Sequence, residues 1–264
     1  MTFRADSALV TEVVPGWGGH IGGANGQITR VVIHATVSPD IPGDARGVAA
    51  YFQSPGSGGL AHYVVGVDAT IQCCPESMWC WHAPPNPGSI GIEVTDPQSG
   101  PGSRWGDADH VATLERAALL AADVCRRHRL PTSHIDAGAL LRGEHGLPGH
   151  ADVSQAWHQS DHVDPGPDFP WQRFLQLVDG HTATRLAPLT NGGQIPGWYR
   201  RPLALGATGD DVRAWQGFFH QRVDGVYGPV CRRVCLTWQS QHKLPAEGVF
   251  GPASAHAAYL LGAR

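Results

Sequence analysis

Residues 29–35, TRVVIHA, and residues 90–95, IGIEVT, are the stretches on which the fold turns. Both are short apolar runs rich in β-branched residues, and each reads as a buried strand. The first ends in His34 and the second carries Glu93 near its end. Between them, HYVVGVD (62–68) and the segment from Thr70 to Cys73 read as a pair of strands. After them, Asp109–His128 has the spacing of a helix, with Val111, Leu114, Ala118, Leu119, Ala122 and Cys125 on one side. Arg126, Arg127 and His128 sit at its C-terminal end, where the helix dipole favours cations. Phe169–Val178 reads as a short closing helix. Strands mixed with helices predict an α/β (α+β) domain, a mixed central β-sheet flanked by helices.

Beyond residue 180 the pattern changes. HTATRLAPLTNGGQIPGW (181–198), rich in Thr, Pro and Gly, reads as a linker. The following segment, 199–264, carries two amphipathic helical stretches, Asp210–Gln221 and Pro229–His242. DGVYG (224–228) and EGVFG (247–251) repeat one turn, each followed by Pro and a helical segment, with a period of about 23 residues. A unit so small has a thin core, which predicts a small all-α domain whose helices are anchored by Trp215, Tyr227, Trp238 and Phe250. The expected organisation is therefore 1–180, a linker 181–198, and 199–264.

Charge divides along the same boundary. Residues 1–180 hold 10 Arg against 19 Asp and Glu, whereas residues 199–264 hold 7 Arg and Lys243 against 4 acids. An acidic unit is joined to a basic one suited to an anionic polymer. The whole chain of 264 residues carries a formal charge of −4 with 16% charged residues, so it is no disordered polyelectrolyte and no nucleic-acid partner is expected. No stretch approaches the ~20 apolar residues of a membrane helix. The N-terminal segment lacks a basic region followed by an apolar one, so no signal peptide is expected. The six Cys form no CxxC pair and read as reduced thiols filling small buried spaces, with a bridge from Cys73 or Cys74 to Cys80 as the alternative. The most unusual count is 15 His beside a single Lys.

Three segments concentrate candidate ligands: VVIHAT with His34, LPGHADVS with His150, and HVDPGPDFPW with Asp164. Two His and one carboxylate leave one tetrahedral position open, the ligand count of a catalytic zinc. In a chain with this many His, spacing alone does not single out the set.

The motifs VVIHATVSP, AHYVVGVDATIQ, WHAP, SIGIEVTDP, LPGHADVS and HVDPGPDFPW occur in that order over roughly residues 25–175. Together they resemble the zinc-dependent type-2 N-acetylmuramoyl-L-alanine amidases of the peptidoglycan-recognition superfamily. The tail resembles the helical peptidoglycan-binding module found beside such enzymes. The combination resembles a phage endolysin, made in the host cytoplasm without a signal peptide and acting on the cell wall after release. The resemblance implies Zn²⁺ held by His34, His150 and Asp164, Glu93 as general base, peptidoglycan as partner, and a monomer. It also implies an oxyanion role for His162, at a position where many members carry Lys. Ala61 stands where some members carry a catalytic Tyr. The alternatives are a non-catalytic peptidoglycan-recognition protein, a cytosolic amidase recycling soluble muropeptides, or a zinc peptidase cutting within the stem peptide. His62 and His82 read as structural or groove-lining residues, His158 as a minor competing ligand, and Trp79 and Trp81 as packing or sugar-stacking residues.

Overall fold

The computed structural model describes residues 3–99, 101–186, 195–242, 244 and 248–264. Residues 187–194 of the segment read as a linker, and Lys243 and Glu247 of the tail, lie outside the described residues. The chain divides into two compact units, Met1–Val178 and Asp179–Arg264.

The strands of the first unit are β1 (Glu12–Val13), β2 (Ile21–Ala24), β3 (Arg30–Ala35), β4 (Tyr63–Val65), β5 (Thr70–Gln72), β6 (Met78–Cys80) and β7 (Ser89–Val94). Its helices are α1 (Asp44–Tyr51), α2 (Ala108–His128), α3 (Ala137–Leu141), α4 (His150–Trp157) and α5 (Trp171–Leu186), the last crossing the boundary between units. The main sheet has the order β1-β5-β4-β7-β3. All neighbours are parallel except β4 and β5, which form an antiparallel pair. β2 and β6 form a separate antiparallel pair.

The two deciding runs read as continuous apolar stretches because this sheet is covered on both faces. On one face Val31, Ile33, Ile90, Ile92 and Val94 pack with Leu114, Ala118, Leu120 and Val124 of α2, and with Phe174 of α5. On the other, Val32 packs with Ile135, Leu140, Val153 and Ala156 from around α3 and α4. Val64 and Ile71 pack with Ala45 and Ala49 of α1. A one-residue slip of β3 would drive His34 into the apolar layer beneath α2 and turn Ile33 out of it. Each apolar side chain displaced costs about 1.5–3 kcal/mol, so the register is strongly specified.

α2 begins where the Asp107 side chain accepts the His110 N–H at 3.0 Å and ends at Arg129 in the left-handed region, φ 58°. α5 starts at Trp171 and continues to Leu186, into the segment read as a linker.

The second unit holds α6 (Asp210–Phe218), α7 (Pro229–Gln241) and α8 (Pro252–Leu260) around a core of Trp215, Tyr227, Cys235 and Phe250, with Trp238 partly buried against it. The sequence repeat extends into hydrogen bonding. Gln216 accepts the Gly225 N–H at 2.8 Å and donates to Val226 O at 3.0 Å. Gln239 accepts the Gly248 N–H at 2.9 Å and donates to Val249 O at 2.8 Å. Both glycines have positive φ, 78° and 69°, as these turns require. All six cysteines are buried and free.

Candidate metal centre and catalytic cleft

Three chain segments meet at one end of the sheet because of register. β3 and β7 run parallel with His34 opposite Glu93. On the other side of β3, the chain before α4 runs parallel to the strand, pairing Ile33 with Gly149 through Ile33 N–H to Pro148 O at 2.9 Å. His34 and His150 are the next residues along these two neighbouring paths, so they arrive side by side, with ring centroids 4.7 Å apart. The Ala151 N–H donates to Asp164 O at 2.9 Å, which pins the HVDPG turn beside the start of α4.

The donor atoms of His34, His150 and Asp164 lie within 4.8 Å of one another, and all three residues are buried. Asp164 Oδ2 is 3.0 Å from His34 Nδ1, and Asp164 Oδ1 is 3.2 Å from His150 Nδ1. For legs of about 2.0–2.1 Å to Zn²⁺, the edges of a tetrahedron are about 3.3 Å, so the spacing and donor types fit a single ion of this kind. These residues could hold a metal. Burial alone would raise the Asp164 pKa, but the adjoining imidazoles of His150 and His34 hold it well below the usual carboxylate range. Burial also pushes His150 down, toward the neutral imidazole that a metal needs.

The centre opens into a cleft of about 780 Å³, whose lining includes Thr36, Tyr51, Leu60, Trp81, Glu93 and His162. Glu93 Oε1 is 4.0 Å from His34 Nδ1, and its side chain is 17% exposed. Burial and then the charge of Asp164 raise its pKa to about 8, the kind of perturbation found in functional acids. The His162 ring stacks on His150 at 4.5 Å with 10° between planes, is 63% exposed, and places Nδ1 3.5 Å from Asp164 Oδ1. The structure thus brings His34, His150, Asp164, Glu93 and His162 into one cleft.

The remaining candidates separate. His158 is exposed at the C-terminal cap of α4, at the far end of that helix from His150. Ala61 is buried and lines the cleft, with no hydroxyl in its place. Trp81 lines the cleft and is 49% exposed, whereas Trp79 packs on Gly22, where a Cβ would come within 2.1 Å of the indole. His62, Cys74 and Cys80 form a second buried cluster of ligand types. There His62 Nδ1 accepts the Gly91 N–H at 3.0 Å and Nε2 meets Met78 O at 2.9 Å, so both ring nitrogens are already engaged by backbone. Burial lowers its pKa to about 4.

Sequence reasoning did not find Ser160, whose hydroxyl lies 3.2 Å from His150 Nε2, nor the contact of His82 with His34 at 3.1 Å. The WHAP motif marked His82 without its partner. Nothing in the local pattern marks Ser160.

One end of the mixed sheet thus carries two imidazoles, an aspartate and a glutamate of raised pKa in an open cleft. The chain belongs to the N-acetylmuramoyl-L-alanine amidase family (Amidase_2), whose model matches residues 24–167. It is an N-acetylmuramoyl-L-alanine amidase, with peptidoglycan the substrate that the family implies. The chain is similar to the Staphylococcus aureus hydrolase AmiA, a structure determined with its ligand, at 17% identity over 72% of this chain and 97% of that one, TM-score 0.49. It is also similar to a mutant endolysin from Bacillus subtilis (19% identity, 64% and 99% coverage, TM-score 0.46). A third similar structure is the amidase LysC from Clostridium intestinale URNW (18%, 64% and 97%, TM-score 0.43). No curated protein matches the chain.

Proposed function

We propose that the protein is a zinc-dependent endolysin that cleaves the amide between the lactyl group of N-acetylmuramic acid and the L-alanine of the stem peptide. The observation that carries this reading is the convergence of His34, His150 and Asp164 within 4.8 Å at the floor of an open cleft, with Glu93 beside them. In it, these three residues hold Zn²⁺. A bound Zn²⁺ supplies Lewis-acid polarisation of the scissile carbonyl.

The chain's own residues do the rest. Glu93 takes a proton from the attacking water as its oxygen bonds to the carbonyl carbon. His162, at the cleft mouth, donates a hydrogen bond to the oxygen on which negative charge develops. Glu93 then returns the proton to the leaving alanine nitrogen as the C–N bond breaks. Tyr51 and Trp81 offer exposed aromatic faces along the cleft to the sugar or peptide of the wall.

In this reading residues 199–264 form a separate wall-binding domain, joined through the 181–198 segment. It raises the local enzyme concentration on peptidoglycan without taking part in the chemistry. Its excess of Arg over acids favours an anionic wall. No helix among the described residues is long and apolar enough to cross a membrane. The monomeric enzyme is made in the host cytoplasm and acts on the wall after release.

The test is incubation of the purified protein with isolated bacterial walls, with and without chelator. New L-alanine amino termini without new reducing sugars, abolished by the chelator and restored by Zn²⁺, are expected. New amino termini on other residues would identify a stem-peptide peptidase instead, and no release would sink the enzymatic assignment. His150→Ala is expected to lose bound metal and activity together.

A further inference from the structure

We propose that His82, anchored by Ser89, is the positioning residue of His34: it accepts the Nε2–H of His34 and so presents the bare Nδ1 to the metal. The proposal rests on the zinc reading of the same site. It follows from counting protons along one hydrogen-bonded chain.

The chain ends on a group that can only accept. The Ser89 hydroxyl donates to the backbone carbonyl of Asn86, which has no proton to offer. With its single proton so placed, Ser89 Oγ can serve His82 Nε2, 2.9 Å away, only as an acceptor. His82 Nε2 therefore carries the hydrogen, and the neutral ring keeps its lone pair on Nδ1. That nitrogen lies 3.1 Å from His34 Nε2. A metal-ligating His34 is neutral and has one ring proton, and the chain assigns it to Nε2. Its Nδ1 is left bare, facing Asp164 Oδ2 at 3.0 Å. With a metal bound, the ion lies between these two acceptors; without one, a second ring proton on Nδ1 takes its place and donates to Asp164. The opposite tautomer would place a lone pair of His34 against the lone pair of His82.

His82 is held for this task from three sides. The Asn86 side chain accepts the backbone N–H of His82 at 3.0 Å and that of Ala83 at 2.9 Å, which tightens the WHAP turn. Ser89 is fully buried. The ring lies over Gly91 of β7, where a Cβ would come within 2.7 Å of His82 Nδ1, so any larger residue would displace it. Gly91 is two residues before Glu93 on the same strand, so β7 supports both the metal ligand's orientation and the catalytic carboxylate.

The test is Zn²⁺ affinity by competition with a chromophoric chelator, together with ¹⁵N-resolved detection of the His34 ring proton in the zinc-loaded full chain. Removing the outer partner of a metal-binding His costs roughly 10–100-fold in affinity, and a loss in that range is expected for His82→Ala. His82→Gln, whose carbonyl can accept from His34 and whose amide can donate to Ser89, is expected to recover most of it. Ser89→Ala, which frees His82 to reverse its tautomer, is expected to fall between. In wild type the His34 Nε2–H should be protected from solvent exchange, and it should exchange rapidly in His82→Ala. An unchanged Zn²⁺ affinity in His82→Ala overturns the proposal. So does His82→Gln binding as weakly as His82→Ala while keeping the native circular dichroism. A wild-type protein without measurable Zn²⁺ affinity overturns the zinc reading, and this one with it.

Discussion

His34 on β3 and Glu93 on β7 are register partners across two parallel strands, with Nδ1 4.0 Å from Oε1. Paired residues of neighbouring strands point to the same face of the sheet. The residue proposed to hold the metal and the residue proposed to move the proton are therefore set by one backbone register rather than by a loop.

That separation of roles is testable at Glu93. Glu93→Gln keeps the size of the side chain and removes its basicity. It is expected to retain metal, measured by elemental analysis, and to lose about 10²–10⁴-fold in turnover on walls, the range for a general base. Wild-type turnover in this variant would show that another group takes the proton.

His162 is 63% exposed and holds its place by stacking on His150. His162→Ala should cost little stability, since surface substitutions usually stay within about 0.5 kcal/mol. If it is the proposed donor to the developing oxyanion, its loss should lower kcat by about 10²–10³-fold with a smaller change in KM. His162→Lys should restore much of that rate. A kcat unchanged in His162→Ala would remove the residue from the mechanism.

Acid stability should depend on Glu76, far from this chemistry in role. Its buried carboxylate accepts from Tyr63 Oη at 2.6 Å, Arg127 Nη2 at 2.6 Å and His128 Nε2 at 2.7 Å. Burial opposes ionisation, yet these partners pull the pKa from 4.5 down to about 2. A depressed folded-state pKa contributes stability that is complete above the unfolded value and lost as pH falls through the folded one. At ~1.4 kcal/mol per pKa unit the contribution is about 3 kcal/mol, present above pH 4.5 and gone near pH 2. Urea unfolding of wild type should weaken across that window, and Glu76→Gln, less stable at pH 6, should weaken by less. Equal slopes for the two proteins would count against this assignment.

In the second unit, Gln239→Ala strands the buried Gly248 N–H that the side chain now serves, while the Val249 carbonyl keeps the Gly251 N–H as its donor at 3.0 Å. An unsatisfied buried group costs about 1–3 kcal/mol, so the full chain should show early loss of tryptophan fluorescence change in urea by about that amount. Gln216→Ala, the matching position one repeat earlier, should behave alike. A difference between the two would mean that the repeat is sequential and not energetic.

Long elements with strong patterns are legible in the sequence alone. The sequence predicts β3, β7 and α2 within a residue or two of their observed bounds, because apolar runs and helical spacing are local properties. β1, β2 and β6 span 2–4 residues, too few to show a period. α4 lasts eight residues and opens on His150, so the motif that marked the histidine hid the helix it begins. The extension of α5 to Leu186 was obscured by the Thr- and Pro-containing composition around it.

The sequence by itself determined which side chains are present to do chemistry, and that His34 and Glu93 stand near the ends of buried strands. Residue type and local period are properties of consecutive positions, and no partner is needed to read them. Only the tertiary structure decided that His34 meets Asp164, 130 positions away, at 3.0 Å, and His82, 48 positions away, at 3.1 Å. Strand register and the packing of both sheet faces set those distances, through contacts between segments that carry no local trace of one another. Which nitrogen of His34 would face a bound metal is a consequence of the same kind. A neutral imidazole offers either nitrogen equally well in isolation, and the choice falls to whatever hydrogen-bond partner the fold brings to the other side.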